Sequence, residues 1–339
     1  MTRTVALLGA TGYTGRLTAQ ELERKGIPHR VGGRSEARLA AVPSQGDRHV
    51  VNLADPESLD SFLSGVDVLI TCVGPFVELG MPVAEAAVRT GTAYVDSTGE
   101  PPFMADVYAR FRGAGPCVVP ACGFDYLPGD LGVAVAVEEL GQRPDEVDVV
   151  YAIEKAIATR GTTLSAVGAL TSMRANLGRM LVAGEHGPVT AVRLPWGEEL
   201  TVPLHQPQAA VRTGVSAPGW VTRMTQAVGP LAPYAAPLTR LAKPALTRWA
   251  NGRPEGPSAQ DRGKTSARTY SVVRGGGGEA RVVVRVRDAY GMTARFLVAA
   301  SQQCTGTGAL APAEALSARS FLDAMAYEDE GGSLSWDVL

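Results

Sequence analysis

Gly9, Gly12 and Gly15 recur at every third position in Gly9-Ala-Thr-Gly12-Tyr-Thr-Gly15, directly after the apolar run Thr4-Val-Ala-Leu-Leu8. Such a turn between a strand and a helix brings backbone close to a phosphate. The first glycine makes the tight turn, the second lets a pyrophosphate approach the main chain, and the third lets the helix pack on the sheet. The free N–H groups of the helix N-terminus then face the anion. Thr11, Tyr13 and Thr14 complete the candidate binding stretch. Three spaced glycines alone are a weak signal, and their place between a strand and a helix in a βαβ unit gives them weight. A site for NAD carries an Asp or Glu about 20 residues further on, for the ribose 2′-hydroxyl. Here that place holds Gly32-Gly33-Arg34-Ser35, with no acid. Arg34 offers a bidentate guanidinium and Ser35 a hydroxyl, which suit a 2′-phosphate, and Arg38 follows one helical turn later. The pattern points to NADPH. The plainer alternative makes Arg34 a solvated loop residue.

Three more loops follow strand ends, where ligands bind in open parallel sheets. They are Gly74-Pro75-Phe76, Ser97-Thr98-Gly99-Glu100 and Ala121-Cys-Gly-Phe-Asp-Tyr126. Gly74, Pro75, Phe76, Thr98 and Gly99 are expected to line the nicotinamide end. Hydride transfer to a polarised double bond needs a proton donor nearby. Tyr126 is the first candidate, as a phenol following a strand. Asp125 qualifies only if burial raises its pKa. Lys155 and Arg160 could hold an acidic substrate or stabilise an enolate. Each has a bland counterpart: Tyr126 as packing, Asp125 and Asp130 as caps of a helix starting near Leu127, Lys155 and Arg160 as surface cations. Cys122 has no paired His in view and reads as a buried thiol.

Elements must position these loops. Thr4–Leu8, His29–Gly33, His49–Leu53, Val66–Val73, Tyr94–Asp96 and Cys117–Pro120 read as strands. Arg16–Lys25, Ala37–Ala41, Pro56–Leu63, Met81–Thr90 and Phe103–Arg112 read as helices between them. This alternation predicts a doubly wound parallel sheet, a Rossmann α/β domain over residues 1–145. Beyond it, Glu146–Glu154 reads as a strand and Leu164–Ala183 as a long helix. Pro218–Asn251 is Pro-rich and apolar, with spaced Arg and Lys. Ala267–Arg274, Ala280–Arg287 and Met292–Ala299 read as three antiparallel strands, and Pro312–Ala326 as a closing helix. The expectation is a second, α+β substrate domain over 146–305, built on a mainly antiparallel sheet. Residues 306–339 form a C-terminal helix and tail that packs back on the first domain.

The 339 residues carry 32 Lys+Arg against 34 Asp+Glu, so no basic surface speaks for nucleic acid. The four cysteines form no CxxC pair, and the four histidines show no metal-ligand spacing, so no metal is expected. No stretch has the length and composition of a membrane span or a signal peptide, and the expected compartment is the cytoplasm.

Taken together, Gly9–Gly15, Gly32–Ser35, Gly74–Phe76 with Gly80, Tyr94–Glu100 and Cys122-Gly-Phe-Asp-Tyr-Leu-Pro-Gly-Asp130 resemble the saccharopine dehydrogenase-like oxidoreductases. They are nearest the subgroup described as trans-acting enoyl reductases. Arg160-Gly-Thr-Thr-Leu-Ser165, Gly256-Pro-Ser with Arg262, and Gly306–Ala313 are similar to that subgroup too. The chain departs at Tyr126, where the family commonly has a small residue, often Ser, and it is shorter than many relatives. The resemblance implies an NADPH-binding Rossmann domain joined to an α+β substrate domain, and hydride transfer to a polarised double bond. An enoyl or enone C=C, in polyketide, lipid or other secondary metabolism, stands ahead of an imine C=N. A non-catalytic NADPH-binding sensor or interaction protein is the reading from another class. The expected partners are a small-molecule or carrier-tethered acyl substrate and, from the architecture, a second copy of the chain. Pro218–Asn251 could serve as an apolar channel, a dimer interface, a carrier-docking edge or a surface hairpin.

Overall fold

Six short runs, apolar in the centre and polar at the β3 edge, make the strands of a parallel sheet: β1 (Val5–Leu8), β2 (His29–Gly33), β3 (Asp47–Val50), β4 (Val68–Thr71), β5 (Ala93–Asp96) and β6 (Cys117–Val119). The computed structural model describes residues 2–155, 178–216, 256–328 and 332–339. Helices α1 (Tyr13–Arg24), α2 (Glu36–Ala40), α3 (Pro56–Leu63), α4 (Phe76–Thr90) and α5 (Pro101–Phe111) connect the strands in turn. The strand order is β13-β6-β5-β4-β1-β2-β3, with the two-residue β13 (Gly308–Ala309) added beside β6, and every pairing is parallel. All of β1 and β4 is buried, as strands covered on both faces must be. Leu22, Leu59 and Phe62 reach down from the helices and are at most 2% exposed, each contributing on the order of 2 kcal/mol. Gly91, at φ 72°, stops α4 in the left-handed conformation that a side chain would resist.

This Rossmann sheet belongs to one compact unit, Met1–Leu127 with Ala289–Ser317; Pro128–Asp288 with Ala318–Leu339 make the second. The expected boundary at 145 thus differs from a division just after Leu127, at the start of α6 (Leu127–Leu140). The C-terminal part is shared, since β13 joins the parallel sheet and the residues from Ala318 onward belong to the second unit.

The second unit holds an eight-stranded mixed sheet in the order β14-β15-β12-β11-β7-β10-β9-β8. Its strands are β7 (Glu146–Lys155), β8 (Arg179–Gly184), β9 (Gly187–Arg193), β10 (Ala210–Ser216), β11 (Ser266–Gly275), β12 (Gly278–Arg287), β14 (Tyr327–Glu328) and β15 (Ser333–Val338). Only β7 and β10 pair in parallel. Helices α7 (Glu198–His205) and α8 (Ala259–Arg262) also belong here. One buried carboxylate, Asp148, is held by Arg212 Nε and Arg274 Nη1, each at 2.7 Å, so the charge is paired where water is excluded.

Three sequence expectations are corrected. Met292–Ala299 is not a strand but the middle of helix α9 (Ala289–Gln303), in the first unit. Its buried residues recur at Met292, Phe296 and Ala300 and at Ala294, Leu297 and Ser301, a helical spacing, and the run is rich in Ala rather than β-branched residues. Asp288, at φ 61°, turns the chain out of β12 into it. The end of the expected helix Leu164–Ala183 is instead β8. Met180 and Val182 are buried while Arg179 and Leu181 are exposed, a period of two, and β8 turns through Glu185-His186 into β9. The closing helix is two, α10 (Pro312–Ala315) and α11 (Ala318–Met325). The rest of 164–183 and the whole of Pro218–Asn251 lie outside the described residues.

Candidate functional site

The loop after β1 is tightly built on its inner side and open on its outer side. A Cβ on Gly15 would lie 2.8 Å from Gly9 C and 2.9 Å from Ala10 Cα, and closer still to Gly9 O. Only glycine lets α1 sit against the turn. A Cβ on Gly12 meets a single atom, Gly9 O at 3.4 Å. Gly9 itself has φ 82° and packs on Cys72 at the end of β4. No side chain caps α1, and its first turn carries no acid. Tyr13, at the start of α1, stacks edge-on against Tyr290 of α9, with ring centroids 5.4 Å apart. The end of β2 approaches the same loop: Gly9 N and Ala10 N both donate to Gly32 O, and Arg38 Nη2 and Arg16 Nη1 donate to Thr11 O at 3.1 and 3.0 Å. Arg34 is exposed, and its guanidinium makes no hydrogen bond or ion pair among the described residues. Ser35 accepts from Arg38 N as the cap of α2, which leaves its own hydroxyl hydrogen to donate. An uncapped helix end and an unpaired guanidinium at this loop fit a group with a pyrophosphate at one place and a further phosphate at another.

The next helix of the sheet has a different fate. Phe76 N and Val77 N, at the start of α4, donate to Glu100 Oε1 and Oε2 at 3.1 and 2.9 Å. Glu100 thereby caps α4 from the neighbouring loop. Phe76 is 5% exposed, with its ring 5.5 Å from that of Phe103, so Gly74 and Pro75 form the accessible part of this loop.

Asp96 ties the remaining loops together. It is fully buried at the end of β5. Its Oδ1 accepts from Thr98 N at 2.9 Å and Ala121 N at 2.8 Å, and its Oδ2 accepts from Tyr94 OH at 2.6 Å. Burial raises its pKa to about 6, against the opposing pull of those three donors. Ala121 sits at φ 63°, a conformation costing roughly 1–3 kcal/mol in a non-glycine residue, beside the N–H that Asp96 holds. Thr98 is buried, and its Oγ1 accepts from Glu100 N.

The two proton-donor candidates after β6 part company. Tyr126 is 0% exposed and its hydroxyl donates to Gly99 O at 3.0 Å, so it braces the loop after β5. Asp125 is exposed and has no hydrogen-bond or ionic partner among the described residues; its Oδ2 lies where a Cβ on Gly99 would come within 3.1 Å. Surrounding protein desolvates the carboxyl and raises its pKa to about 6. With that pKa the carboxyl is mostly ionised at pH 7 and mostly protonated below pH 6, so it can give up a proton in the mildly acid range. Cys122 is buried, with its thiol directed at Val119 O at 3.4 Å.

Lys155 closes β7 in the second unit, in register with Ser266; its side chain and all of Arg160 lie outside what is described. Within that unit a polar cluster escaped the sequence reading. His205 Nε2 lies 3.1 Å from the buried Asp130 Oδ1, Tyr151 OH donates to the buried Glu198, and the rings of Tyr151 and Trp196 are 5.7 Å apart. Asp96 and Glu100 were also missed as organisers. Their signal was present in Tyr94–Glu100, where two acids flank a strand end, but Phe76, Val77 and Ala121 are 23 to 25 residues away and only the sheet register brings them in.

Residues 5–119 match the family described as saccharopine dehydrogenase NADP binding domain, and this part of the chain is an NADP-binding domain. The chain is similar to a protein named trans-acting enoyl reductase from Mycobacterium tuberculosis, 37% identical over 143 residues, which covers 38% of this chain and 34% of that one. The protein of the same name from Mycobacterium ulcerans is 37% identical over 142 residues, with the same shares. The chain thus spans about a third of the length of the curated relatives it matches. Among solved structures, the saccharopine dehydrogenase (L-Glu forming) of Saccharomyces cerevisiae shares the fold, with a TM-score of 0.61 and 14% identity over 99% of this chain and 100% of that one. No helix among the described residues is long and apolar enough to cross a membrane.

Proposed function

We propose, from an NADP-binding domain of the saccharopine dehydrogenase type over residues 5–119, that this chain is an NADPH-dependent reductase of a polarised C=C bond, in an enoyl or enone substrate that is either small or held on a carrier as an acyl thioester. Asp125 is the observation that carries the catalytic part: an accessible, unpartnered carboxyl with a pKa of about 6, on the loop after β6. NADPH, when bound, supplies the hydride; the proton that completes a reduction must come from the protein or from water. Asp125 is the donor in this reading. Asp96 and Tyr126 are positioning residues: the first fixes Thr98 and Ala121, the second fixes Gly99. Gly9, Thr11, Gly12, Tyr13, Thr14 and Gly15 receive the pyrophosphate, Arg34 and Ser35 the 2′-phosphate, and Gly74, Pro75, Thr98 and Gly99 flank the nicotinamide end, with Phe76 as packing beneath. The names of the relatives over the first domain support an enoyl substrate over an imine.

The test is a fluorescence titration with NADPH and with NADH, followed by an NADPH-consumption screen of enoyl thioesters, enones and imines. A charge-assisted pair with the 2′-phosphate is worth roughly 1.5–3 kcal/mol, so NADPH should bind about 10- to 100-fold more tightly than NADH, and Arg34→Ala should erase the difference. Equal binding of the two nucleotides overturns the assignment of Arg34. Turnover of imines alone moves the substrate class to C=N. Tight NADPH binding with no turnover in any class leaves a non-catalytic NADPH-binding protein.

A further inference from the structure

A second site lies at the other edge of the parallel sheet, where the strands begin. A cavity of about 470 Å³ is lined by Arg3 before β1, Asp67 before β4, Ala93 of β5, Pro116 and Cys117 at the start of β6, and Cys304 after α9. All of these belong to the first unit, and none is at the dinucleotide loops, which follow the strands' other ends. Two of the chain's four cysteines meet here. Cys117 donates its thiol hydrogen to Thr305 O at 3.4 Å, the carbonyl of the residue next to Cys304, and both thiols line the cavity. Arg3 Nη1 donates to Cys304 Sγ at 3.3 Å, and the same nitrogen donates to Ser301 O at 3.1 Å, which holds the guanidinium in place. Gln302 grips the Arg3 backbone from both sides: its Oε1 accepts from Arg3 N, and its Nε2 donates to Arg3 O. Asp67, the acid of the cavity, accepts from Thr4 N at 2.7 Å.

We propose that Cys304 and Cys117 are a peroxide-oxidisable dithiol, with Cys304 the attacking sulfur and Cys117 the resolving one. The chemistry of the neighbours assigns the roles. Cys304 follows the carbonyl end of α9, which disfavours an anion, and it is buried. The Arg3 guanidinium opposes both: Nη1 donates to Cys304 Sγ at 3.3 Å, a charge-assisted contact that favours the thiolate. Cys117 receives no such bond among the described residues and gives its hydrogen to the neutral Thr305 carbonyl, so it keeps its proton. In the first step the Cys304 thiolate attacks one oxygen of hydrogen peroxide; an S–O bond forms, the O–O bond breaks and hydroxide leaves, giving a sulfenic acid. In the second step the sulfur of Cys117 displaces that oxygen as water, the Cys117 proton being consumed, and an S–S bond forms. Two thiols are oxidised and one peroxide is reduced to two waters. The bond ties the chain entering β13 to the first residue of β6.

Cys72 and Cys122 are internal references in the same molecule. Burial pushes the Cys72 thiol up to about 12, and Cys122 is fully buried against Val119 O. The experiment treats the reduced full chain with hydrogen peroxide, then alkylates the remaining thiols and maps each by mass spectrometry. The expected result is loss of alkylation at Cys117 and Cys304 together, about tenfold or more faster than at Cys72 and Cys122, with a linked peptide pair that a thiol reductant separates. In Cys117→Ser, Cys304 should be trapped as a sulfenic acid by a dione probe, and Arg3→Gln should slow its oxidation several-fold while leaving Cys72 unchanged. Retention of both thiols at peroxide levels that oxidise glutathione overturns the proposal, as does modification of Cys304 without linkage to Cys117.

Discussion

Gly12 and Gly15 are three residues apart in one loop, and the structure separates what each is for. A methyl group on Gly15 would enter the backbone of Gly9 and Ala10, with no flexible side chain to yield. Real Cβ atoms stay beyond 3.0 Å, so α1 would have to move out by on the order of 1 Å. Overpacking costs roughly 1–3 kcal/mol, here the upper part of that range, about 2–3, because backbone rather than a side chain must move, and the gain in helix propensity from Ala over Gly returns about 1. Gly15→Ala should therefore lower the stability of the apo protein by about 1–2 kcal/mol. Gly12 is different. Its backbone, φ −78° and ψ 171°, suits any residue, and its Cβ would meet one atom at an ordinary distance. Replacing Gly by Ala at a helix cap costs up to about 1 kcal/mol, so Gly12→Ala should unfold close to the wild type. Its methyl, however, would stand where a pyrophosphate approaches, and NADPH affinity should fall at least about tenfold, or 1.4 kcal/mol. Urea unfolding of the apo proteins and fluorescence titration with NADPH read the two effects separately. Wild-type NADPH affinity in Gly12→Ala would show that the pyrophosphate does not lie over this loop. Wild-type apo stability in Gly15→Ala would refute the packing argument.

Two other carboxyls give sharp outcomes. An acid must be protonated to donate, so with a pKa of about 6 at Asp125 the turnover rate should be flat below that pH and fall about tenfold per unit above it. Asp125→Asn should remove that limb and lower kcat by about 10²- to 10⁴-fold without changing NADPH affinity; an unchanged pH profile in the variant assigns the proton to another donor. Asp96→Ala would strand two backbone N–H groups and the Tyr94 hydroxyl, at a cost of about 2–4 kcal/mol in urea unfolding, whereas Asp96→Asn keeps an acceptor for both N–H groups and should cost under about 1. The Asp96 pKa rises on folding from 3.8 to about 6, so the folded state holds this proton more tightly. The stability it contributes is full below about pH 4 and is lost as pH rises through about 6, a dependence that Asp96→Asn should abolish.

Legibility in the sequence followed range. The strand–turn–helix setting of the glycine loop and the six strands of the first domain are local facts, set by residues within a few positions of each other, and these elements lie where the sequence puts them. The segment after Asp288 misled because two true strands precede it, and a run of apolar residues without Gly or Pro breaks is compatible with either period. Its Ala content was the discriminating clue. The hairpin of β8 and β9 carries the turn signal His186-Gly187, but a Leu- and Ala-rich stretch before it hid the alternation of Met180 and Val182.

The site itself shows why one neighbour was favoured over the other. Asp125 and Tyr126 adjoin in sequence, and a phenol is the better acid donor at neutral pH in the abstract. They stand just ahead of α6, where consecutive side chains point in different directions, and the turn sends Tyr126 inward to Gly99 and Asp125 outward. Asp96, on the neighbouring strand, accepts from Ala121 N, where the chain leaves β6 in a left-handed conformation on its way to these two residues. Asp96 acts through a register, Val95 beside Val119, that no local reading supplies. In the proposed mechanism, the carboxylate that holds Thr98 and Ala121 also positions the loop that carries the donor. On this account Asp96→Ala should impair turnover more than it impairs NADPH binding, because Arg34 and the glycine loop are held by β1 and β2 and do not depend on it.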